Sequence, residues 1–455
     1  MRTNKVAVRN PRGKTHEGGL ADRLTLEQSF KRVLMNCLLW EKEFYEDGVD
    51  VAERLYAMAT ELGQVNPARA NELVVEARVE NGLRHAPLLC AVALAKVGVL
   101  EKETVTAICD RPDQMTELLA LYSDKNDGNI RPLANAIKNG IAAAFQQFNA
   151  YSLAKYNRAG DSIKLRDALF LCHPKGMNET QQQAFDQLAE GSLPTPDTWE
   201  VALSAATDKR SEWERLLSEN KLGALAYIRN LRNMREAGVP VSMVRHGLKS
   251  INTHRIFPYQ LVTAGVQAEE FKRELENLLA ECVDVHDYRL SGRTAIVLDR
   301  SGSMGCHSQE EIRDNGLRAC ALGMVAAEMC DDHDIIYFGN GQRYYNSDAG
   351  CTLTHNAGSL RGYQICDTYL SCNVGWGTDL GGTVKTLQGQ DYDRVIVITD
   401  EQSASRVGAA PAKHSYMMNV ASYRNGVGYN NGWNHIDGFS SNILKYILAY
   451  ESQED

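Results

Sequence analysis

"TAIVLDRSGSMG", Thr294 to Gly305, decides how the second part of this chain folds. Its first half is a short, almost continuous run of aliphatic residues with no polar alternation, which predicts a strand buried on both faces. Its second half delivers Asp299, Ser301 and Ser303 at two-residue spacing into a glycine-containing turn. One carboxylate and two hydroxyls curled around one point are hard oxygen donors, and such donors suit Mg2+ better than a softer metal.

Working outward, "DIIYFG" and "RVIVITD" are further β-branched runs, and "EEIRDNGLRACALGMVAAEMCDD" reads as a crossover helix between the first two strands. That alternation predicts a parallel sheet covered on both faces. The second run ends in Asp400, with Glu401 alongside, and "NVGWGTDLGGT" offers Thr378 at a glycine-flanked position where backbone can approach an ion. "SYMMNVA" and "SSNILKYILAY" supply a further strand and a closing helix, and "GYNNGWNHIDGF" reads as a loop at the carboxyl-end side of the sheet. Asp299, Ser301, Ser303, Thr378 and Asp400 carry too little charge for a two-metal hydrolase. They suffice for one Mg2+ or another divalent cation with a coordination position left open for a carboxylate of another molecule. This chemistry favours adhesion over catalysis, and the chain is not expected to be an enzyme. "GNGQRYYN" lacks the GK[ST] of a P-loop, "DRSGSMG" lacks the glycines of a nucleophile elbow, and His286, His307, His333, His355 and His435 show no ligand spacing.

Upstream, from about Leu24 to Leu279, the periodicity is helical. "SFKRVLMNCLLWEKEFY", "VDVAERLYAMATEL", "ARANELVVEARVE", "HAPLLCAVALAKVG", "TVTAICD" and "DQMTELLALYS" are amphipathic stretches separated by Gly, Pro or Asn. Each is too short to stand alone, so stacked antiparallel pairs are the expected way to bury their apolar faces. In "LGALAYIRNLRNMREAGVP" the stripe Leu222, Leu225, Ile228, Leu231 and Met234 predicts one helix stopped by Gly238 and Pro240, with Arg229, Arg232 and Arg235 three apart on an adjoining face. Those arginines read either as a solvated face or as a phosphate track. In "AGDSIKLRDALFLCHPKG", Asp161 or Ser162 is the expected cap and Pro174 the stop. Lys155, Arg158, Lys164, Arg166, His173 and Lys175, with Tyr156 among them, form a basic surface suited to RNA.

The whole chain of 455 residues has a formal charge of −9, which argues against nucleic acid only if charge is uniform. It is not: residues 128–178 hold seven basic side chains against two acidic ones. Residues 1–19, basic at first, read as an N-terminal arm. The odd count of 11 cysteines without a CxxC pair reads as buried thiols in a cytosolic protein. No apolar window is long enough for a membrane helix, and a soluble, cytoplasmic monomer is expected.

On these residues a resemblance rests. Asp299, Ser301, Ser303, Thr378 and Asp400 match the metal-ion-dependent adhesion site of a von Willebrand factor A domain. "YNRAGDSIKLRDALFLCHPK", "LGALAYIRNLRNMREAGV" and "HRIFPYQL" resemble segments of the TROVE module of the Ro autoantigen family, whose members pair such a module with an A domain. The resemblance implies a HEAT-like helical-repeat ring over 20–285, then a Rossmann-like α/β A domain over 286–455. It implies RNA contact for Lys155, Arg158, Lys164, Arg166, His173 and Lys175, and extends to Arg229 and Arg232. It further implies small noncoding Y-type RNA on the basic outer surface, and single-stranded 3′ ends of misfolded or unprocessed RNA in the central hole. RNA quality control or maturation, in bacterial relatives with a 3′ to 5′ exoribonuclease, is the implied setting. The alternative is an adhesion or scaffold protein in which the A domain binds an acidic protein ligand without an RNA role. Closure of a ring would bring the two ends of the helical array together, with the A domain expected to staple them.

Overall fold

The computed structural model describes residues 14–22, 24–37, 48–157, 160, 162–253, 256–282, 289–305, 314–341, 351–423, 425–429, 431–440 and 442–451. The chain divides into two compact units, each assembled from separate stretches of sequence. One combines Met1–Gln28 with Tyr288–Asp437, and the other combines Ser29–Asp287 with Gly438–Asp455. The sequence reading cuts the chain at 19/20 and 285/286. In the structure the helix Asn442–Glu451 groups with the helical unit, although its sequence reads as the closing helix of the sheet.

The helical unit is a two-layer stack. Gly48–Val65 packs on Pro67–Val79 and on His85–Lys96, Pro67–Val79 on Lys102–Ile108, His85–Lys96 on Pro112–Asp124, and Lys102–Ile108 on Asn135–Phe145. Each helix thus meets the second next in sequence, the arrangement that lets amphipathic helices of one to five turns bury their apolar sides jointly. Leu73, Val74, Leu88, Val92, Val105, Leu118, Ile137 and Ile141 are fully buried along this stack.

Within the same unit, early and late helices meet. The Phe257 ring lies 3.5 Å from where a Cβ on Gly82 would stand. Gly82 has φ +68°, a conformation that disfavours side chains, in the turn between Pro67–Val79 and His85–Lys96. Phe439 packs edge-on against Phe257 and Tyr259 at ring distances of 5.2 and 5.8 Å, and the Ser440 hydroxyl donates to Asn81 Oδ1 at 3.1 Å. Two residues just past the sheet unit therefore join helices that are some 175 positions apart in the chain. The sequence reading gives that stapling role to the A domain as a whole; within the helical unit it is Phe439 and Ser440 that touch both partners.

Two local readings change. The stripe from Leu222 to Met234 forms two helices, Ala224–Arg229 and Leu231–Glu236, because Asn230 leaves helical geometry at φ −104°, ψ 7° and its side-chain amide donates to the Ala226 carbonyl at 2.7 Å. The helix Leu165–Cys172 starts two to three residues later than expected: Lys164 is its N-cap residue, and the Asp167 carboxylate accepts the Lys164 N–H at 2.9 Å. Ser162 precedes that turn, and Asp161 lies outside the described residues.

The other unit is a six-stranded sheet of β1 (Leu290–Asp299), β2 (Cys330–Gly341), β3 (Cys351–Asn356), β4 (Arg394–Thr399), β5 (His414–Asn419) and β6 (Asn434–Asp437). The order is β3-β2-β1-β4-β5-β6, with β3 antiparallel and all other pairs parallel. The helices Asp314–Met329 and Leu380–Leu387 contribute to its covering, and Val297, Val395, Val397, Val384 and Met417 share one core cluster. The stretch "GYNNGWNHIDGF", read as a loop, contains β6, and β3 has no counterpart in the sequence reading. Every cysteine whose side chain is described is buried. No described helix is long and apolar enough to cross a membrane.

Candidate functional site

In the sheet order, β1 lies between β2 and β4, so the crevice beyond the carboxyl ends of β1 and β4 is where the winding reverses. Leu298 pairs with Ile398, which sets Asp299 beside Thr399 and brings Asp400 out at the same edge. The Ser301 N–H donates to Asp299 Oδ1 at 2.9 Å, and the Thr399 hydroxyl donates to Asp299 Oδ2. The Ser301 and Ser303 hydroxyl oxygens stand 3.1 Å apart. Arg300 turns away from this point: its guanidinium donates to the Tyr369 and Leu370 carbonyls at the end of the helix Tyr363–Ser371, at 2.6 and 3.2 Å. The strand end thus delivers its acid inward and satisfies its base elsewhere.

The segment bearing Thr378 is tied to three neighbours. The Gly302 N–H donates to the Trp376 carbonyl at 2.7 Å, the Gly377 N–H to the Asn340 carbonyl at 3.3 Å, and the Ala404 N–H to the Thr378 carbonyl at 2.8 Å. Asp379 fixes it further, accepting from the hydroxyls of Thr352 and Ser405 and from the Gly382 N–H. Asp299, Ser301, Thr378 and Asp400 are buried to within 1 % and Ser303 to within 5 %. Burial first, and then the charge of neighbouring Asp400, push the Asp299 carboxyl up to about 7, against the hydrogen bonds from Thr399 and Ser301 that favour the ionised form. A cation at this point would reverse both upward effects.

The donor set fits such a cation. Thr378 Oγ1 is buried and has no hydrogen-bond partner among the described residues, as expected of an oxygen kept for a ligand. Two carboxylates and three hydroxyls, all hard oxygen donors, are contributed by three loops of one crevice. No three His, Cys, Asp or Glu side chains cluster among the described residues, so the hydroxyls are essential to the set.

Behind the crevice, the Glu401 backbone has φ 61°, and its buried carboxylate accepts the Val427 N–H at 2.9 Å. Gln402 donates to the Asp400 and Asn425 carbonyls. The segment Lys14–Asp22, whose residues up to 19 the sequence assigns to an N-terminal arm, is fastened here. The Thr15 hydroxyl donates to the Ser403 carbonyl at 2.7 Å, the His16 N–H to Gln402 Oε1 at 2.9 Å, and Asp22 exchanges hydrogen bonds with Gly426 and Tyr429 at 2.8 Å. Gly19 sits so close that a Cβ would stand 2.1 Å from the Ser403 carbonyl oxygen. Thr399, Asp379, Gln402 and the Thr15–Asp22 strap were not singled out in the sequence: these residues act through loop geometry, which periodicity does not encode.

The basic residues form a second candidate surface, on the helical unit. Lys155, at the end of the helix Ala150–Tyr156, is exposed with its Nζ 5.6 Å from the Tyr156 ring centre. Arg166 is exposed over the Phe170 ring at 5.5 Å, and Lys164, His173 and Lys175 are exposed around the same short helix. None of Lys155, Lys164, Arg166 or Lys175 has an ion-pair partner among the described residues. Arg158 lies outside the described residues. Arg229 is exposed in its own helix, whereas Arg232 pairs with Glu236 at 3.4 Å and Arg235 with Glu270 at 3.4 Å.

Comparison with known proteins places part of the chain. A stretch of the mouse (Mus musculus) telomerase protein component 1 is 32 % identical over 93 residues, covering 19 % of this chain and 4 % of that protein. The crystal structure of Deinococcus radiodurans RO (RSR) protein matches 95 % of this chain and 100 % of its own, with a TM-score of 0.58 at 18 % identity, a likeness of fold. Residues 191–288 match the TROVE domain family, so the chain carries a TROVE domain within an architecture of helical array and α/β sheet shared with that bacterial protein.

Proposed function

We propose that this chain is a non-catalytic RNA-binding protein acting in RNA quality control or maturation. It holds small noncoding, Y-type RNA on the basic surface of Lys155, Arg158, Lys164, Arg166, His173 and Lys175, extended by Arg229 and, more weakly, Arg232. Single-stranded 3′ ends of misfolded or unprocessed RNA enter a central ring of the helical array, and a 3′ to 5′ exoribonuclease is the proposed partner. The protein works as a cytoplasmic monomer. The observation that carries this reading is the row of exposed cations along residues 155–175 that lack ion pairs among the described residues, in a chain whose total charge is negative. Unpaired cations at a surface displace counterions from a phosphate chain, whereas paired ones have already spent their charge. The TROVE match and the resemblance to the Ro family support it.

Asp299, Ser301, Ser303, Thr378 and Asp400 are the proposed ligands of Mg2+ or another divalent cation. When bound, the ion would supply a positive charge with an open position for an oxygen anion of a partner. The chain's own part is to bury the donors, hold Asp299 through Thr399 and Ser301, and hold the Asp400 loop through Gln402.

The test is titration of a hairpin RNA with a single-stranded 3′ tail at several salt concentrations. Affinity is expected to fall steeply with salt, and no detectable binding at low salt would end the RNA reading. A second reading, metal-dependent protein adhesion without RNA, is favoured by the buried oxygen donors at the switch point. It predicts that Asp299→Ala loses a protein partner while RNA affinity stays unchanged.

A further inference from the structure

Beside the basic surface, the helical unit contains an open cavity of about 730 Å3, within the size range of sites for small ligands. The starts of the helices Pro112–Asp124 and Glu179–Glu190 line it, so the positive ends of two helix dipoles lie at its wall. Arg111, Tyr151, Tyr156, Asn149 and Asn178 supply most of its chemistry.

Those side chains sort into two kinds. Tyr151 is a large aromatic ring left 48 % exposed on the wall of the cavity. Tyr156 carries two cations against its ring, the Arg111 guanidinium at 4.8 Å and the Lys155 ammonium at 5.6 Å. Arg111 is oriented by Asp113, whose carboxylate it meets at 2.7 Å and which also pairs with Arg84 at 2.8 Å. Arg111 Nε is left buried without a hydrogen-bond partner among the described residues. The carbonyl oxygens of Asn149 and Asn178 cap their helices, accepting the N–H groups of Ser152 and Gln181 at 2.9 Å, which leaves each amide NH2 as a donor. Asp110, the acid on this wall, is already held by Arg78.

An open aromatic face beside cations and amide donors matches one ligand class. The ring accepts a flat base by stacking, and the cations and amide NH2 groups donate to a phosphate and to the base's oxygens. An apolar ligand would leave the donors unsatisfied, and a carboxylate ligand alone would leave the ring bare.

We propose that this cavity receives a single unpaired nucleotide of the bound RNA, with its base laid on Tyr151 and its phosphate against Arg111 and Lys155. The proposal rests on the RNA reading and adds to it a discrimination between paired and unpaired RNA.

The experiment uses the full chain with two hairpins, one blunt and one carrying a single unpaired 2-aminopurine nucleotide. The wild-type protein is expected to prefer the second hairpin about tenfold and to quench its fluorescence, as stacking on one aromatic ring allows. Tyr151→Ala should abolish the quenching and the preference while leaving blunt-hairpin affinity unchanged, and Tyr151→Phe should keep both. If the wild type binds both hairpins but Tyr151→Ala changes neither, or weakens both equally, the pocket proposal falls and the RNA reading stands. If the wild type binds neither hairpin, both fall together.

Discussion

The two units treat charge in opposite ways. In the sheet unit, cations such as Arg300 and Arg318 are buried and bonded to backbone carbonyls, and the acids Asp299, Asp400 and Glu401 are drawn inside as well. In the helical unit, Lys155, Lys164, Arg166 and Lys175 are exposed, with no carboxylate paired to them among the described residues. The first arrangement costs desolvation and fixes geometry to a fraction of an ångström, which suits one small ion. The second is loose and extended, which suits a flexible polyanion. The proposed ion site would thus depend on position, and the proposed RNA surface on total charge.

Each prediction strains that contrast, beginning with the largest effect. Phe439→Ala removes a ring buried to 2 % at the junction of early and late helices, and the expected loss is about 3–5 kcal/mol of stability in denaturant unfolding. An unchanged midpoint would mean that the helical unit closes without this contact. Replacing Lys155, Lys164, Arg166 and Lys175 together by alanine should lower RNA affinity about a hundredfold and flatten the salt dependence by about three logarithmic units per decade of salt, as loss of four phosphate contacts implies. Melting temperature should barely move, since these side chains support nothing in the fold. Asp299→Ala should erase the thermal stabilisation by Mg2+, which in the wild type is expected to reach about 2.7 kcal/mol at a hundredfold excess over the dissociation constant. Gly19→Val, with no room beside Ser403, should cost about 1–3 kcal/mol and weaken Mg2+ stabilisation without touching RNA affinity. Arg232→Ala should alter RNA affinity less than about twofold, because Glu236 already shares that charge.

Much of this was legible because burial leaves a pattern in sequence. β1, β2 and β4 are read from short, almost continuous β-branched runs, β5 from "SYMMNVA", and the early helices from their spacing of apolar residues. Asp299, Ser301 and Ser303 could be placed at one point because a strand end and a tight turn leave them little freedom. The misses share a cause. β3 and β6 are edge elements, the one alternating and partly exposed, the other only four residues long within a glycine-rich stretch, so neither has an apolar run to announce it. Asn230 breaks a helix through one side-chain hydrogen bond, which the apolar stripe around it conceals. Tyr151 looks like any aromatic residue of a helix until its exposure is known.

Both units are discontinuous in sequence, and this constrains how the protein can be made. A nascent chain that has emerged as far as residue 282 holds the helices up to Lys272–Glu281 yet lacks Phe439, Ser440 and the helix Asn442–Glu451, so the junction of its early and late helices is incomplete. Lys14–Asp22 is synthesised well before its partners and must wait some 380 residues for Ser403 and Gly426 to exist. The helical unit therefore gains the Phe439 and Ser440 contacts only after the sheet has been synthesised, and a chain stopped just past Asp437 would hold every strand of the sheet beside an unclasped helical stack.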